Sequence, residues 1–542
     1  MTAIQEAPPI NGTALRRPAL AAAPPRPRPS QRENVESWRR LRDQVLRGDG
    51  AATERQHAKR KLTVRERIEL LLDEGTFVEF DVYRRTRAGA VRESDEPYSD
   101  GVVTGSGTVH GRTVFLYAQD FRIFGGSLGR VHAEKIHKVM DLAIATGSPL
   151  ISLNDGGGAR IQEGVSALAG YGGVFQRNVR ASGVIPQISV ILGPCAGGAA
   201  YSPALTDFVF MVRETSYMFL TGPDVVKEVT GADVTQEFLG GAEMHATTSG
   251  VANFVYDDEA SCLEEVRYLV SLLPANNQEE PPAYAPAEPA AGAAERLLDI
   301  VPTEPNKPYD MREVIAQIVD DAEFMEVHES WAGNVVCALA RIDGQTVGIV
   351  GNQPMVKAGV LDIHASEKAA RFVSTCDAFN IPLVTLVDVP GFLPGVDQEH
   401  HGAIRHGAKL LYAYCEATVP RVQVILRKAY GGAYIVMDSR SIGADLSVAW
   451  PSNEIAVMGP QSAVSVIYRK QIAGTADPAA LRARLAEEYA EEMMHPYYAA
   501  ERGLVDDVID PAGTREVIIR TLTLLRGKRP AASARKHGNP PT

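Results

Sequence analysis

The sequence has little of what would mark a secreted, metal-bound or membrane-embedded protein. Its 542 residues include five cysteines, Cys195, Cys262, Cys337, Cys376 and Cys415, which are scattered and form no Cys-x-x-Cys pair. That excludes a disulfide framework and a zinc ribbon. No stretch approaches ~18 consecutive apolar residues, so no segment reads as a membrane-spanning helix. Basic residues are outnumbered by acidic ones, 55 to 67, and the net charge of -12 argues against a general nucleic-acid binder. A local basic pocket could still take an anionic small ligand. The N-terminus carries Glu6 and no apolar core, so no secretory signal is read and the cytoplasm is the expected compartment. Walker A and H-E-x-x-H patterns are missing. Hydrophobic residues make up 45% and charged residues 23% of the chain, ordinary values for a protein that buries a core.

What is present is a repeat. Glu134-Lys135 recurs as Glu367-Lys368, 233 residues later. The run Leu150–Asp155 recurs at the same spacing as Leu383–Asp388, and the Gly-containing turn at Gly111 as that at Gly344. Downstream, Val190-Ile-Leu with Gly197-Gly-Ala matches Val424-Ile-Leu with Gly431-Gly-Ala at a spacing of 234. Matches in register with one single-residue slip mark a duplicated unit. Each copy reads as β-run, Gly turn, β-run, helix (Ala133–Thr146; Ser366–Phe379), apolar strand ending in Asp, glycine loop, helix, strand, Gly-Gly-Ala. Alternating strands and helices predict a largely parallel, helix-covered sheet in each half, an α/β class. Residues 1–32, rich in Pro, Ala and Arg, read as a disordered extension. A helical pattern begins near Asn34, and Thr63-Val-Arg-Glu66 is a capping box before another helix. Residues 275–296 read as a linker between the halves, 33–274 and 297–527, and 528–542 as a flexible basic tail.

Three cassettes carry the chemistry. The first, Asn154-Asp-Gly-Gly-Gly-Ala-Arg160, places consecutive glycines after a strand, where backbone N–H groups can meet a ligand or simply make a tight turn. The second and third are Gly193-Pro-Cys-Ala-Gly-Gly-Ala-Ala-Tyr201 and Arg427-Lys-Ala-Tyr-Gly-Gly-Ala-Tyr-Ile435, each directly after a strand. Strand, Gly-Gly-Ala and helix build an oxyanion hole from main chain, with the helix dipole adding partial charge. Close helix-on-strand packing explains one copy equally well, but the pair in both repeats favours function. Gly105–Gly111 is one residue too long for a dinucleotide fingerprint. No nucleophile set appears: Ser202 precedes Pro203 outside G-x-S-x-G, and Cys195 reads as buried and inert. His400, His401 and His406 lack metal-ligand spacing, and no metal is expected.

At this point the residues resemble a known family. Tyr117–Gly129, Asn154–Gly164, Gly193–Pro203, Val387–Gly395 and Arg427–Met437 together look like the carboxyltransferase (β) subunit of acyl-CoA carboxylases, in the propionyl-CoA carboxylase branch with its actinobacterial members. The resemblance runs from about Glu33 to Arg526. It implies two tandem crotonase-like domains of the ClpP/crotonase superfamily, the first on the acyl-CoA side and the second on the biotin side. It implies that Gly197 and Gly198 cradle the thioester oxygen and that Gly432 and Ala433 cradle the biotin carbonyl. Ala196, Gly157, Gly158, Ala159, Tyr201 and Tyr434 are implied on the substrate side, and Gly391, Phe392 and Gly431 on the biotin side. Ile435 stands where acetyl/propionyl-type members usually have Asp, and is expected to set acyl-chain selectivity. Carboxybiotin is expected on a partner that carries biotin carboxylase and the biotin carboxyl carrier, with ATP and bicarbonate used there. No Met-Lys-Met attachment site occurs in this chain. A homo-hexamer is implied, with no nucleic acid and no membrane as partner. The resemblance leaves open a biotin-dependent decarboxylase or transcarboxylase subunit, and, in another class, a non-catalytic scaffold. The chain departs from the family at Gly156, where Ser is usual, and at Arg60 and His401; the lost hydroxyl is expected only to loosen a loop.

Overall fold

The computed structural model describes residues 29–86, 97–529 and 536–541. The extension expected over 1–32 falls mostly outside them. Residues up to Gly48 form a unit of their own, whose described part is the helix Gln31–Arg47. It starts a turn earlier than the apolar spacing predicts because Ser30 and Glu33 form a capping box, side chain to main chain in both directions.

From Asp49 onward the chain builds two eight-stranded sheets with one topology. The first contains β1 (Val78–Phe80), β2 (Val102–Val109), β3 (Arg112–Gln119), β4 (Leu150–Gly156), β5 (Gln187–Ala196), β6 (Phe208–Val212), β7 (Tyr217–Phe219) and β8 (Phe254–Tyr256). The second contains β9 (Phe324–Glu326), β10 (Val335–Ile342), β11 (Gln345–Asn352), β12 (Leu383–Val389), β13 (Arg421–Tyr430), β14 (Leu446–Ala449), β15 (Glu454–Ala456) and β16 (Asp507–Val508). The first runs β1-β2-β3-β4-β5-β6-β8 with β7 also on β5; the second is β9-β10-β11-β12-β13-β14-β16 with β15 also on β13. In each, the first three strands pair antiparallel and the rest parallel. The duplication seen in the sequence is thus a duplication of every strand.

The matched residues have physical reasons. The hairpins β2–β3 and β10–β11 are joined by His110-Gly111 and Asp343-Gly344, and both residues of each pair take positive φ (50° and 73°; 54° and 74°), as a two-residue hairpin with right-handed strand twist requires. A carboxylate closes each one: Asp73 accepts the N–H groups of His110 and Gly111, and Asp320 those of Asp343 and Gly344. The repeated lysines do the same work twice. Lys135, on the helix Arg130–Thr146, donates to the carbonyls of Ser99 and Val102, and Lys368, on the helix Ile363–Ala378, to those of His328 and Trp331. Each buried ammonium ties up main-chain acceptors of the segment before the hairpin, which would otherwise be orphaned.

One hydrophobic cluster is private to the first copy, a large and a small one to the second, and another runs through both, from Leu71 and Val266 to Leu339 and Phe372. The expected linker ends in the helix Ala293–Ile300; the remainder is irregular but fastened. Tyr284 N–H donates to Gly344 O at 2.9 Å, Arg515 reaches Ala287 O at 2.9 Å, and Asn380 donates to Asn277 O at 3.0 Å. At the C-terminal end Lys528 Nζ donates to Asp445 at 2.7 Å.

His132 is fully buried, its Nδ1 on Asp100 O at 3.0 Å and its Nε2 without a partner, and burial pushes its imidazole down to about 3. A histidine held neutral contributes stability that is present above pH 6.5 and lost as pH falls toward 3, because the unfolded chain takes the proton first. The His132→Gln variant lacks this titration. Between pH 6 and 4 the stability of the wild type, read by urea unfolding, should therefore fall relative to the variant by about 1.4 kcal/mol per pH unit. A constant difference across that range overturns the assignment.

Candidate functional site

Each parallel sheet ends, at the C-terminal edge of its two central strands, in the glycine cassettes. At the end of β4, Asp155 is wholly buried and receives Lys61 Nζ at 2.6 Å, Arg67 at 2.9 Å and Gln56 at 3.2 Å. Arg67 also grips Glu259 with two nitrogens, at 2.6 and 2.7 Å, and Leu192 O at 3.1 Å. At the end of β12, Asp388 takes two nitrogens of Arg427, at 3.0 and 2.9 Å, and the Lys428 N–H at 3.1 Å. The main-chain N–H of each aspartate is held by an equivalent side chain, Gln119 for Asp155 and Asn352 for Asp388. In both copies the pairing register slips at this point, and the strands then meet again at Gly156–Cys195 and Val389–Ala429. The carboxylate fills the gap left by the slip. A Cβ on Gly193 would lie 1.9 Å from Asp155 Oδ1, which is why glycine stands there.

The slip sets the first glycine loop beside the second cassette. Gly158 takes φ +90°, and a Cβ there would lie 2.8 Å from Ala196 O. Leu128 and Ala159 form a bridge, with Leu128 N–H on Gly158 O and Arg160 N–H on Leu128 O. Arg160 fastens the loop from below, to Asp100 at 2.7 Å, Glu163 at 2.8 Å and Ser127 O at 2.9 Å. Gly156 packs closely in this loop: a Cβ there would sit 2.5 Å from Gly126 O, so the serine usual in the family would require the Gly126 turn to shift. Gly157, Gly158, Ala159, Ala196, Gly197, Gly198 and Tyr201 thus share one edge of the first sheet. The second sheet repeats the arrangement. Leu361 bridges Phe392, accepting Leu393 N–H and donating to Gly391 O, and Phe392 packs over Gly407. Gly391, Phe392, Gly431, Gly432, Ala433, Tyr434 and Ile435 lie at that edge.

The helices after the Gly-Gly-Ala turns are short. Gly197–Ala200 is a 3-10 turn followed by the four-residue helix Tyr201–Ala204, and the second copy has the six-residue helix Gly431–Val436. The chain must leave at once for β6 and β14, and Asp438 at φ 57° ends the second helix. Helices this short carry little macrodipole, so any anion stabilisation comes from individual first-turn N–H groups, which have no intrahelical acceptor. Gly197 and Gly431 take nearly the same φ, 63° and 60°. A Cβ on Gly198 would meet the Tyr171 ring at 3.2 Å, whereas one on Gly432 would meet nothing within 4 Å. Ala433 and Tyr434 are buried; Tyr201 and Ile435 are 51% and 41% exposed.

Cys195 is buried, and burial pushes its thiol up to about 12, so it supplies no thiolate. His406 Nδ1 lies 2.8 Å from Glu367, and exposed His401 3.1 Å from Asp397. Among the described residues no three metal-capable side chains converge. Sequence reasoning missed Gln56, Lys61, Arg67, Glu259, Asp100 and Arg427 as the frame of the site. The only available signal was the repeated strand-ending aspartate, whose cations come from unrelated parts of each copy.

The carboxyl transferase domain model matches residues 55–540. The chain is similar to the propionyl-CoA carboxylase beta chain of Saccharopolyspora erythraea, 57% identical over 517 residues, covering 93% of this chain and 95% of that one. It is also similar to the methylmalonyl-CoA decarboxylase subunit alpha of Propionigenium modestum, 52% identical over 512 residues, covering 94% and 99%. Among solved structures, the hexameric transcarboxylase 12S with methylmalonyl-coenzyme A bound superimposes with a TM-score of 0.91 at 50% identity, covering 95% of this chain and 99% of that one.

Arg427 is 3% exposed on its side chain and is ion-paired with Asp388 through two nitrogens. Arg427→Ala strips that buried carboxylate of its ion-pair partner, so urea unfolding should show a loss of about 3–5 kcal/mol. A loss below about 1 kcal/mol means that the pair does not hold the strand end.

Proposed function

The chain belongs to the carboxyl transferase domain family, and from that premise we propose that it moves the carboxyl group of carboxybiotin, brought by a partner subunit, to the α-carbon of a straight-chain acyl-CoA. It is an enzyme subunit of the propionyl-CoA carboxylase type. The observation that carries the reading is the pair of glycine turns, one at the same edge of each duplicated sheet. Carboxyl transfer develops negative charge on two oxygens, the thioester oxygen as the enolate forms and the ureido oxygen as the carboxyl group leaves. Two sets of main-chain donors answer two oxygens.

We assign Gly197 and Gly198 to the thioester and Gly432 and Ala433 to the biotin carbonyl, with residues 33–274 as the acyl-CoA domain and 297–527 as the biotin domain. The open space over Gly432 fits a planar urea approaching the turn closely. When bound, carboxybiotin supplies the activated carboxyl group and a ureido nitrogen able to take the α-proton. The chain's own part is then to bind, orient and stabilise. This accords with a site frame whose charged residues are engaged with one another and with no free thiolate. A homo-hexamer, in which the first domain of one chain faces the second domain of another, is supported by exposed apolar side chains near both edges: Ile161, Val165 and Leu168 in the first copy, Val396 and Ile404 in the second. Direction is set by coupling: an ATP-using partner drives carboxylation, and without one the same site runs toward biotin.

Two predictions test the reading. Gly432→Val introduces a side chain where the protein leaves only open space, so the variant should fold and assemble yet lose carboxylation by at least about a hundredfold. Gly198→Val should lose activity equally, with some stability lost as well because Tyr171 must give way. The measurement is fixation of radiolabelled bicarbonate into acyl-CoA with the partner subunits present. Folded variants that retain near-normal turnover refute the oxyanion assignment.

The second concerns chain length. Ile435 follows Gly432 by one helical turn, is 41% exposed, and lines, on this reading, the pocket for the acyl tail. An apolar side chain there gains about 0.8 kcal/mol per buried methylene, and such pockets separate adjacent homologues by only about 1–3 kcal/mol. The profile of kcat/KM over a C2 to C8 acyl-CoA series should therefore be broad and reach butyryl-CoA and longer. Ile435→Asp should narrow it to acetyl- and propionyl-CoA. A wild-type profile that collapses after C3, or an unchanged profile in the variant, sinks the assignment.

A further inference from the structure

The duplication allows a comparison between the two turns that neither turn provides alone. At the spacing of 234 residues, Gly197 corresponds to Gly431, Gly198 to Gly432 and Ala199 to Ala433, and Tyr201 therefore stands where Ile435 stands. The backbone agrees: the first glycines take φ 63° and 60°, the alanines are buried, and the residues at the fifth position are the ones that emerge, Tyr201 at 51% and Ile435 at 41% exposure.

On the reading above, which this inference rests on, Ile435 is carried by the turn assigned to biotin and covers the acyl chain held by the opposing turn. The same relation read in the other direction puts Tyr201, carried by the thioester turn, against the ligand of the biotin turn. The side-chain chemistry is exchanged to match: an aliphatic branch for an alkyl tail, an aromatic face for a rigid fused ring. Tyr201 is also held in place for such a task. Its ring meets Phe175 edge-on, with centroids 6.0 Å apart, and Phe175 stacks on Tyr171 at 6.0 Å and 25°. Tyr171 in turn forms the wall behind Gly198. A column of three rings thus runs from the glycine turn to the exposed tyrosine. We propose that Tyr201 is a specificity-determining residue for the bicyclic urea of biotin, and not for the acyl-CoA whose turn it adjoins.

The test uses the purified full-length chain, methylmalonyl-CoA as donor and free biotin as acceptor. In that reaction the bond from the α-carbon to the carboxyl group breaks, a ureido nitrogen–carbon bond forms, and the ureido N–H proton passes to the α-carbon, giving propionyl-CoA. Tyr201→Ala should raise the KM for free biotin roughly five- to tenfold, as expected for a lost ring contact, while the KM for methylmalonyl-CoA changes less than about twofold. Tyr201→Phe, which keeps the ring, should give a smaller rise. Ile435→Ala should do the converse, changing acyl-CoA discrimination and sparing the KM for biotin. A rise confined to methylmalonyl-CoA in Tyr201→Ala, or no change in either KM, overturns the proposal while leaving the carboxyltransferase reading intact. A wild-type chain that transfers nothing to biotin overturns that reading itself, and this proposal with it.

Discussion

A buried carboxylate stands at the end of the central strand of each sheet, and the geometry of both glycine edges follows from it. Asp155 and Asp388 occupy the gap where two parallel strands slip in register. An unpaired buried charge there would be intolerable, so each aspartate recruits cations: Lys61 and Arg67 in one copy, Arg427 in the other. Those cations draw in the surrounding chain. Arg67 ties the helix Val64–Leu71 to Glu259 and to β5 in the first copy, and Arg427 ties β13 to the carbonyls of Glu304 and Lys307 in the second. The slip they fill is what carries the loop after β4 across to Ala196. Remove the pair and the two glycine cassettes lose the reason to be neighbours.

Beneath the glycine turns the copies diverge. The first copy holds a neutral network, in which Asn178 donates to Gln187 and Ser202 to Asn178. The second holds a charged one: Arg421, the counterpart of Gln187, pairs with Asp438 at 2.7 Å, and Thr385 bridges Asp438 and Tyr414. Burial pushes the Asp438 carboxyl up to about 7, against the pull of Arg421. Duplication has preserved strand order and turn shape while leaving the polar groups beneath them free to change. The preserved part is the part that places main-chain donors.

That difference explains what the sequence could reveal. Offsets of 233 and 234 residues were legible because Glu-Lys, strand-Asp and Gly-Gly-Ala are local strings under the same constraint twice: a lysine that caps carbonyls, an aspartate that fills a slip, a glycine at positive φ. The largely parallel sheet of each half followed from the alternation of elements, and Cys195 was readable as inert from its apolar setting. The partners of those strings were not legible. Lys61 lies 94 residues before Asp155, and Glu259 lies 192 residues after Arg67, with nothing in either neighbourhood to announce the contact. The capping box at Ser30 is local and readable, whereas the apolar spacing alone starts the helix near Asn34. The brevity of the helices after Gly-Gly-Ala depends on where β6 and β14 must begin, which only the assembled sheet determines.

The segment joining the halves is fastened as far as Glu288, whose carbonyl accepts the Asp321 N–H, and the next helix starts at Ala293. Between them lies a short stretch crossed by no hydrogen bond to a distant element among those described. A gene broken there would yield two polypeptides, each with a whole sheet and its private core. Neither would be self-sufficient, because the shared cluster draws side chains from both. The halves would have to find each other to cover it, so the shared core would serve a split protein as its subunit interface.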